Sequence, residues 1–129
     1  MTDIHAPRFS VVICVLTGLI ATALGVLGYF FPESHPQFIP GGVKIMYSWS
    51  ARELGMGLTA LAAAASLRDA RVIAIALLGS LVREILDFID FFRVEGTPLR
   101  LYFVVGISTI LHATAFIWCL LLINNQTKK

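Results

Sequence analysis

Residues 81–92 read LVREILDFIDFF, an arginine and three carboxylates set among large apolar side chains. On a helix, at about 100° per residue, Ser80, Arg83, Asp87 and Asp90 recur at i, i+3, i+7 and i+10 and share one stripe. Leu81, Ile85, Phe88 and Phe92 are left for lipid and neighbouring helices. Arg83 and Asp87 stand one turn apart and are placed to touch. Glu84 points roughly 100° away from Arg83, toward a different neighbour, and is expected to pair with Arg52.

The stretch ends an apolar run, 70–92, and three more such runs occupy 9–31, 47–67 and 99–123. Each is long enough to cross ~30 Å of hydrocarbon at ~1.5 Å per residue. Between them lie FPESHPQFIPGG (31–42), with three prolines and two glycines, SLRDAR (66–71) and RVEGTP (93–98), which read as loops and turns. The chain of 129 residues is 57% hydrophobic and 14% charged, with a mean hydropathy of +0.82. A soluble domain of this size could not hide that much apolar surface. The expected fold is therefore an all-α membrane protein: one domain over 1–129, a four-transmembrane-helix bundle with both termini on the same side. Ala21-Thr22-Ala23 imitates a signal-peptidase site, but the apolar run continues to Phe31, so the first run is expected to stay as a span.

Basic residues set the orientation. Arg8, Arg68, Arg71, Lys128 and Lys129 fall on one side, and Lys44, Arg93 and Arg100 on the other, which favours termini inside. A net charge of +2 and the absence of a basic run give no reason to expect nucleic acid as a partner. Cys14 and Cys119 have no Cys or His at ligand spacing and read as buried free thiols.

Ionisable groups at bilayer depth are costly and face the bundle interior in pairs. In an antiparallel bundle Arg52 and Glu53 fall in the same half of the membrane as Asp87 and Asp90, with Arg83, Glu84 and His112 nearer the middle. Gly55, Gly57 and Ala62–Ala65 leave little bulk on the second helix, and Gly18, Thr22, Gly25 and Tyr29 make a packing stripe on the first. On the fourth, Ser108, His112 and Cys119 share a face, with Tyr102 nearer its outer end. A polar pocket in the outer half of the bundle follows, roofed by 32–46.

Two readings of that pocket compete. Arg83–Asp87 and Arg52–Glu84 could be ion pairs that only hold helices in register. Alternatively, carboxylates held at different proton affinities divide general-acid and general-base work. The catalytic candidates are then Asp87, Asp90, Arg83, Glu84, Glu53 and Arg52, with His112, Tyr102, Ser108 and Ser80 binding the substrate. An Asp–Arg–Asp set resembles, in residue type alone, the limonene-type epoxide hydrolases, which are soluble and of another fold. The expected function is a membrane-embedded, cofactor-independent enzyme acting on a lipophilic molecule by epoxide hydrolysis, epoxide-opening cyclisation or isomerisation in a biosynthetic pathway. No metal site is expected, because Arg83 sits where it would repel a cation. A proton-coupled carrier, which would need to be a homo-oligomer, and a non-catalytic membrane subunit are the alternatives.

The segment 41–92 also resembles small four-span proteins of the DoxX-like kind. The resemblance rests on Arg52-Glu53 opening the second helix, Gly57-Leu58, the basic turn Arg68-Asp69-Ala70-Arg71, and Asp87 with Asp90. It implies a four-helix multi-pass membrane protein, in some cases one linked to secondary-metabolite pathways.

Overall fold

The computed structural model describes residues 4–35, 43–66, 69–92 and 99–127, with the side chains of 43–45, 90, 91 and 127 outside that description. Four helices make up almost all of it: α1 (Arg8–Phe30), α2 (Val43–Ala65), α3 (Ala70–Phe91) and α4 (Leu99–Thr127), with a short 3-10 turn at Pro32–Ser34. The protein is an all-α, four-helix bundle. Two of the helices, Arg8–Phe30 and Leu99–Gln126, are long and apolar enough to cross a membrane.

The helix ends follow local chemistry. The Asp69 carboxylate accepts the Arg71 amide at 2.8 Å, a side-chain cap that satisfies one of the amides left open at the start of α3. Proline cannot donate a backbone hydrogen bond but its carbonyl can accept, and Pro7 takes the amide of Val11 as α1 begins. The second helix starts at Val43, earlier than the expected 47, since nothing after Gly42 breaks a helix and a lysine is tolerated in a first turn. The fourth runs to Thr127 rather than 123, because Asn124, Asn125 and Gln126 continue it with their side chains in the open.

Each helix packs on its sequence neighbours, most closely α1 on α2 and α3 on α4; α1 also meets α4 and touches α3 across the bundle. Glycine sets the α1–α2 distance. A Cβ on Gly25 would lie 2.6 Å from the Leu54 nitrogen and 2.8 Å from the Ser50 carbonyl, and one on Gly18 would lie 2.7 Å from Leu61 Cγ. Gly28 lies equally close to the Ser50 hydroxyl and Gly57 to Thr22. Two helix backbones can approach so closely only where no side chain intervenes. The expected stripe of Gly18, Thr22, Gly25 and Tyr29 holds for the first three. Tyr29 is exposed, and Gly28 takes the close position at that level.

The apolar core lies toward the end of the bundle where α1 begins, built from Ile13, Cys14, Ala60, Ala63, Ile73, Leu77, Ala115 and Cys119. Both cysteines are free and buried there. The Ser10 hydroxyl donates to the Ala115 carbonyl at 2.9 Å and Cys14 Sγ to the Ala60 carbonyl at 3.2 Å, so the polar atoms in this core are used. The segment before α1 closes this end: Ile4 and Ala6 are buried in the cluster, and the Ile4 carbonyl accepts the Ala70 amide at 2.7 Å.

Candidate functional site

A single arginine organises the ionisable groups. Arg83 of α3 reaches across to α2, where Nη1 donates to Glu53 Oε2 at 2.6 Å. Its Nη2 donates to Glu84 Oε1, and its Nε stands 3.6 Å from Asp87 Oδ2 without a hydrogen bond. The Asp87 carboxylate is held from the other side by Arg52 Nη2 at 3.0 Å. Glu53 and Glu84 are buried, Glu84 to 3% exposure, whereas the Arg52 side chain remains 39% exposed. Two arginines thus face three carboxylates among the described side chains, which leaves one negative charge in excess.

This pairing corrects one expectation. Arg52 binds Asp87 rather than Glu84, and Glu84 turns to Arg83, its immediate neighbour in the chain. Helical direction alone separates Arg83 from Glu84, but both side chains are long enough to close that angle once they are packed inward. The expected Arg83–Asp87 proximity is present. Asp90 lies on α3 with its side chain outside the described residues, as is Arg93, so neither adds to this geometry.

The cluster forms one wall of a cavity of about 340 Å³. Glu53, Arg83, Glu84 and Asp87 supply charge; Ile13, Leu16, Ile20, Ala21 and Leu24 of α1 and Val104, Val105, Ile107 and Leu111 of α4 supply an aliphatic lining. The exposed members of that lining, Leu16, Ile20, Val104, Ile107 and Leu111, all belong to α1 or α4. The mouth is therefore lateral, between those two helices, and its rim is apolar.

Of the substrate-binding candidates, Ser108 and His112 line the cavity. Ser80 and Tyr102 do not: the Ser80 hydroxyl donates to the Ala76 carbonyl one turn back, and the Tyr102 ring packs edge-on against Phe88 and Phe92. Arg52 stands behind Asp87, off the cavity surface. Of the expected roof, 32–46, neither 32–35 nor Met46 lines the cavity; 43–46 form the start of α2, and 36–42 with the side chains of 43–45 fall outside the described residues. One lining polar group escaped the sequence reading: Thr17, whose hydroxyl lies 2.8 Å from His112 Nε2. A lone threonine in an apolar run carries no signal of such a partner 95 residues away. Among the described residues no group of three or more His, Cys, Asp or Glu is placed to hold a metal ion.

No family model matches the chain, and no curated protein or solved structure matches it significantly. The compact four-helix bundle with two long apolar helices is consistent with, but not specific to, a small membrane-protein family.

Proposed function

We propose that the protein is a four-span membrane enzyme that performs acid–base chemistry on a lipophilic molecule, with both termini on one side of the bilayer. The observation that carries the proposal is the placement of Glu53, Glu84 and Asp87, bound to Arg83, on the wall of a largely aliphatic cavity. The third span is supported by the outer face of α3. Val72, Ile75, Leu78, Val82, Ile85, Leu86 and Ile89 are exposed along it while Arg83, Glu84 and Asp87 turn inward, the reverse of a soluble helix. At 22 residues α3 is about 33 Å long, enough for the hydrocarbon core.

Buried carboxylates around one arginine suit epoxide opening, by hydrolysis or cyclisation, and double-bond isomerisation. The excess carboxylate has a place for a proton and can donate it to a developing oxyanion or carbanion; a paired one accepts a proton from water or a substrate hydroxyl. Arg83 fixes both in position. The aliphatic lining holds the body of the substrate, and the apolar mouth admits it from the membrane.

The test begins with the purified protein in lipid nanodiscs, incubated with a lipid extract from cells lacking the gene, in which the precursor accumulates. Conversion without added cofactor is expected, with loss in Asp87→Asn and in Asp90→Asn while both variants keep wild-type helicity. Full conversion by both would overturn the assignment. Flux across proteoliposomes driven by a pH gradient would favour a carrier instead, and a stoichiometric co-purifying protein a subunit role.

A further inference from the structure

The cavity has a second polar pole, on α1 and α4. His112 Nδ1 lies 2.8 Å from the Ser108 backbone carbonyl, and a carbonyl only accepts, so Nδ1 carries the proton. In the neutral imidazole Nε2 then offers its lone pair, and the Thr17 hydroxyl donates to it at 2.8 Å. Both ring nitrogens therefore have neutral partners, in contrast to the ion-paired cluster, and the ring is 3% exposed. Thr17, His112 and the Ser108 side chain all line the cavity, with the aliphatic Ile20, Ala21 and Val105 beside them. The separation of the poles follows from α1–α2 packing. Leu54, next to Glu53, rests on Gly25, and Thr17 lies eight residues nearer the start of α1. That is roughly 12 Å along the axis at ~1.5 Å per residue.

We infer that the Thr17–His112 pair binds a hydroxyl group of the substrate, which donates to it, and that the substrate is a lipophile with two oxygen functions, one at each end of an apolar body. The Thr17 oxygen keeps lone pairs that can accept from a hydroxyl. A ligand hydroxyl that displaces Thr17 from Nε2 donates to an acceptor of fixed direction. A hydrocarbon with one polar end leaves the spare lone pairs of the Thr17 oxygen without a donor, and a second hydroxyl supplies that hydrogen bond. A cavity of about 340 Å³ is near the lower end of the range for small-molecule sites, which limits the body to a short chain or a single small ring system. The inference rests on the acid–base reading for the chemistry at the other pole, but not for the binding.

The probes are α,ω-alkanediols of roughly 6 to 12 carbons, a span that brackets the ~12 Å pole separation, and the matching mono-alcohols. They are added to the protein in nanodiscs while His112 is followed by its imidazole ¹⁵N shifts and by its rate of ethoxycarbonylation. A diol of matching length is expected to protect His112 at a concentration at least about tenfold lower than its mono-alcohol, the discrimination of one buried hydrogen bond. Thr17→Val should alter the Nε2 shift and reduce the preference, and Thr17→Ser should retain it. Equal protection by diol and mono-alcohol, or no protection by either, would overturn the inference. If diol preference is seen while Asp87→Asn and Asp90→Asn convert the precursor fully, the binding site stands and the acid–base reading fails. If conversion is lost in those variants and no diol preference is found, only the second pole fails.

Discussion

Removing Arg83 should cost far more stability than removing Arg52, although each binds Asp87. Arg83 is 14% exposed and serves Glu53 and Glu84, which are themselves buried; Arg83→Met leaves those two carboxylates without a counter-charge. Breaking a buried pair in this way costs about 3–5 kcal/mol. Among the described residues Arg52 pairs with Asp87, from a position 39% exposed, and such a pair contributes about 1 kcal/mol or less. A third variant supplies the control. Adding Glu53→Gln and Glu84→Gln to Arg83→Met removes the orphaned charges, while Asp87 keeps Arg52, so most of the loss should return. The assay is equilibrium unfolding in mixed micelles, titrated with sodium dodecyl sulfate and followed by helicity. The reasoning is refuted if Arg83→Met is no more costly than Arg52→Ala, or if the triple variant is as unstable as the single one.

Two further predictions concern the packing and the loop. Gly25→Ala forces α1 and α2 apart by roughly 1 Å, given the 2.6 Å approach to the Leu54 nitrogen and ordinary contact at about 3.5–4.0 Å, and should cost about 1–3 kcal/mol. Gly55→Ala meets nothing within 4 Å and should stabilise by up to ~1 kcal/mol through helix propensity; thermal melts of the two variants moving in the same direction would contradict the packing argument. At the turn after α1, burial holds the His35 imidazole below its ordinary proton affinity. A lowered value means the opened state binds more protons, so this corner is most stable above a pH of about 6.5 and weakens as the pH falls below it. Exchange of the Ser34 and His35 amides, which bond to the Phe31 and Pro32 carbonyls, should accelerate at pH 5.5 beyond its intrinsic change, and His35→Gln should remove the effect. Identical corrected rates at pH 5.5 and 7.5 would refute it.

The four elements of this bundle were plain in the sequence because the turns between them are chemically marked, although the start of α2 and the end of α4 were not. Asp69 both ends a polar turn and caps α3, and the prolines and glycines of 32–42 separate the first two helices. The inward stripe on α3 was also readable, since one helix fixes the relative direction of Arg83 and Asp87. Which carboxylate each arginine takes was not. That depends on how α2 is rotated about its axis, and the rotation is set by Gly18, Gly25 and Gly28 of α1 locking against the Gly57 face of α2. The lock turns Glu53 inward and leaves Arg52 at the edge. The same limit hid Thr17, whose significance comes from a histidine on another helix.

The mouth between α1 and α4 makes the supply of substrate a two-dimensional problem. A rim of Leu16, Ile20, Val104 and Ile107 opens at the depth of the acyl chains on the proposed reading, so the cavity samples molecules already dissolved in the bilayer. Occupancy is then governed by the mole fraction of substrate in lipid rather than by its amount per volume of buffer. Extra inert lipid, added at constant protein and substrate, dilutes that fraction and slows turnover even though nothing in the aqueous phase has changed.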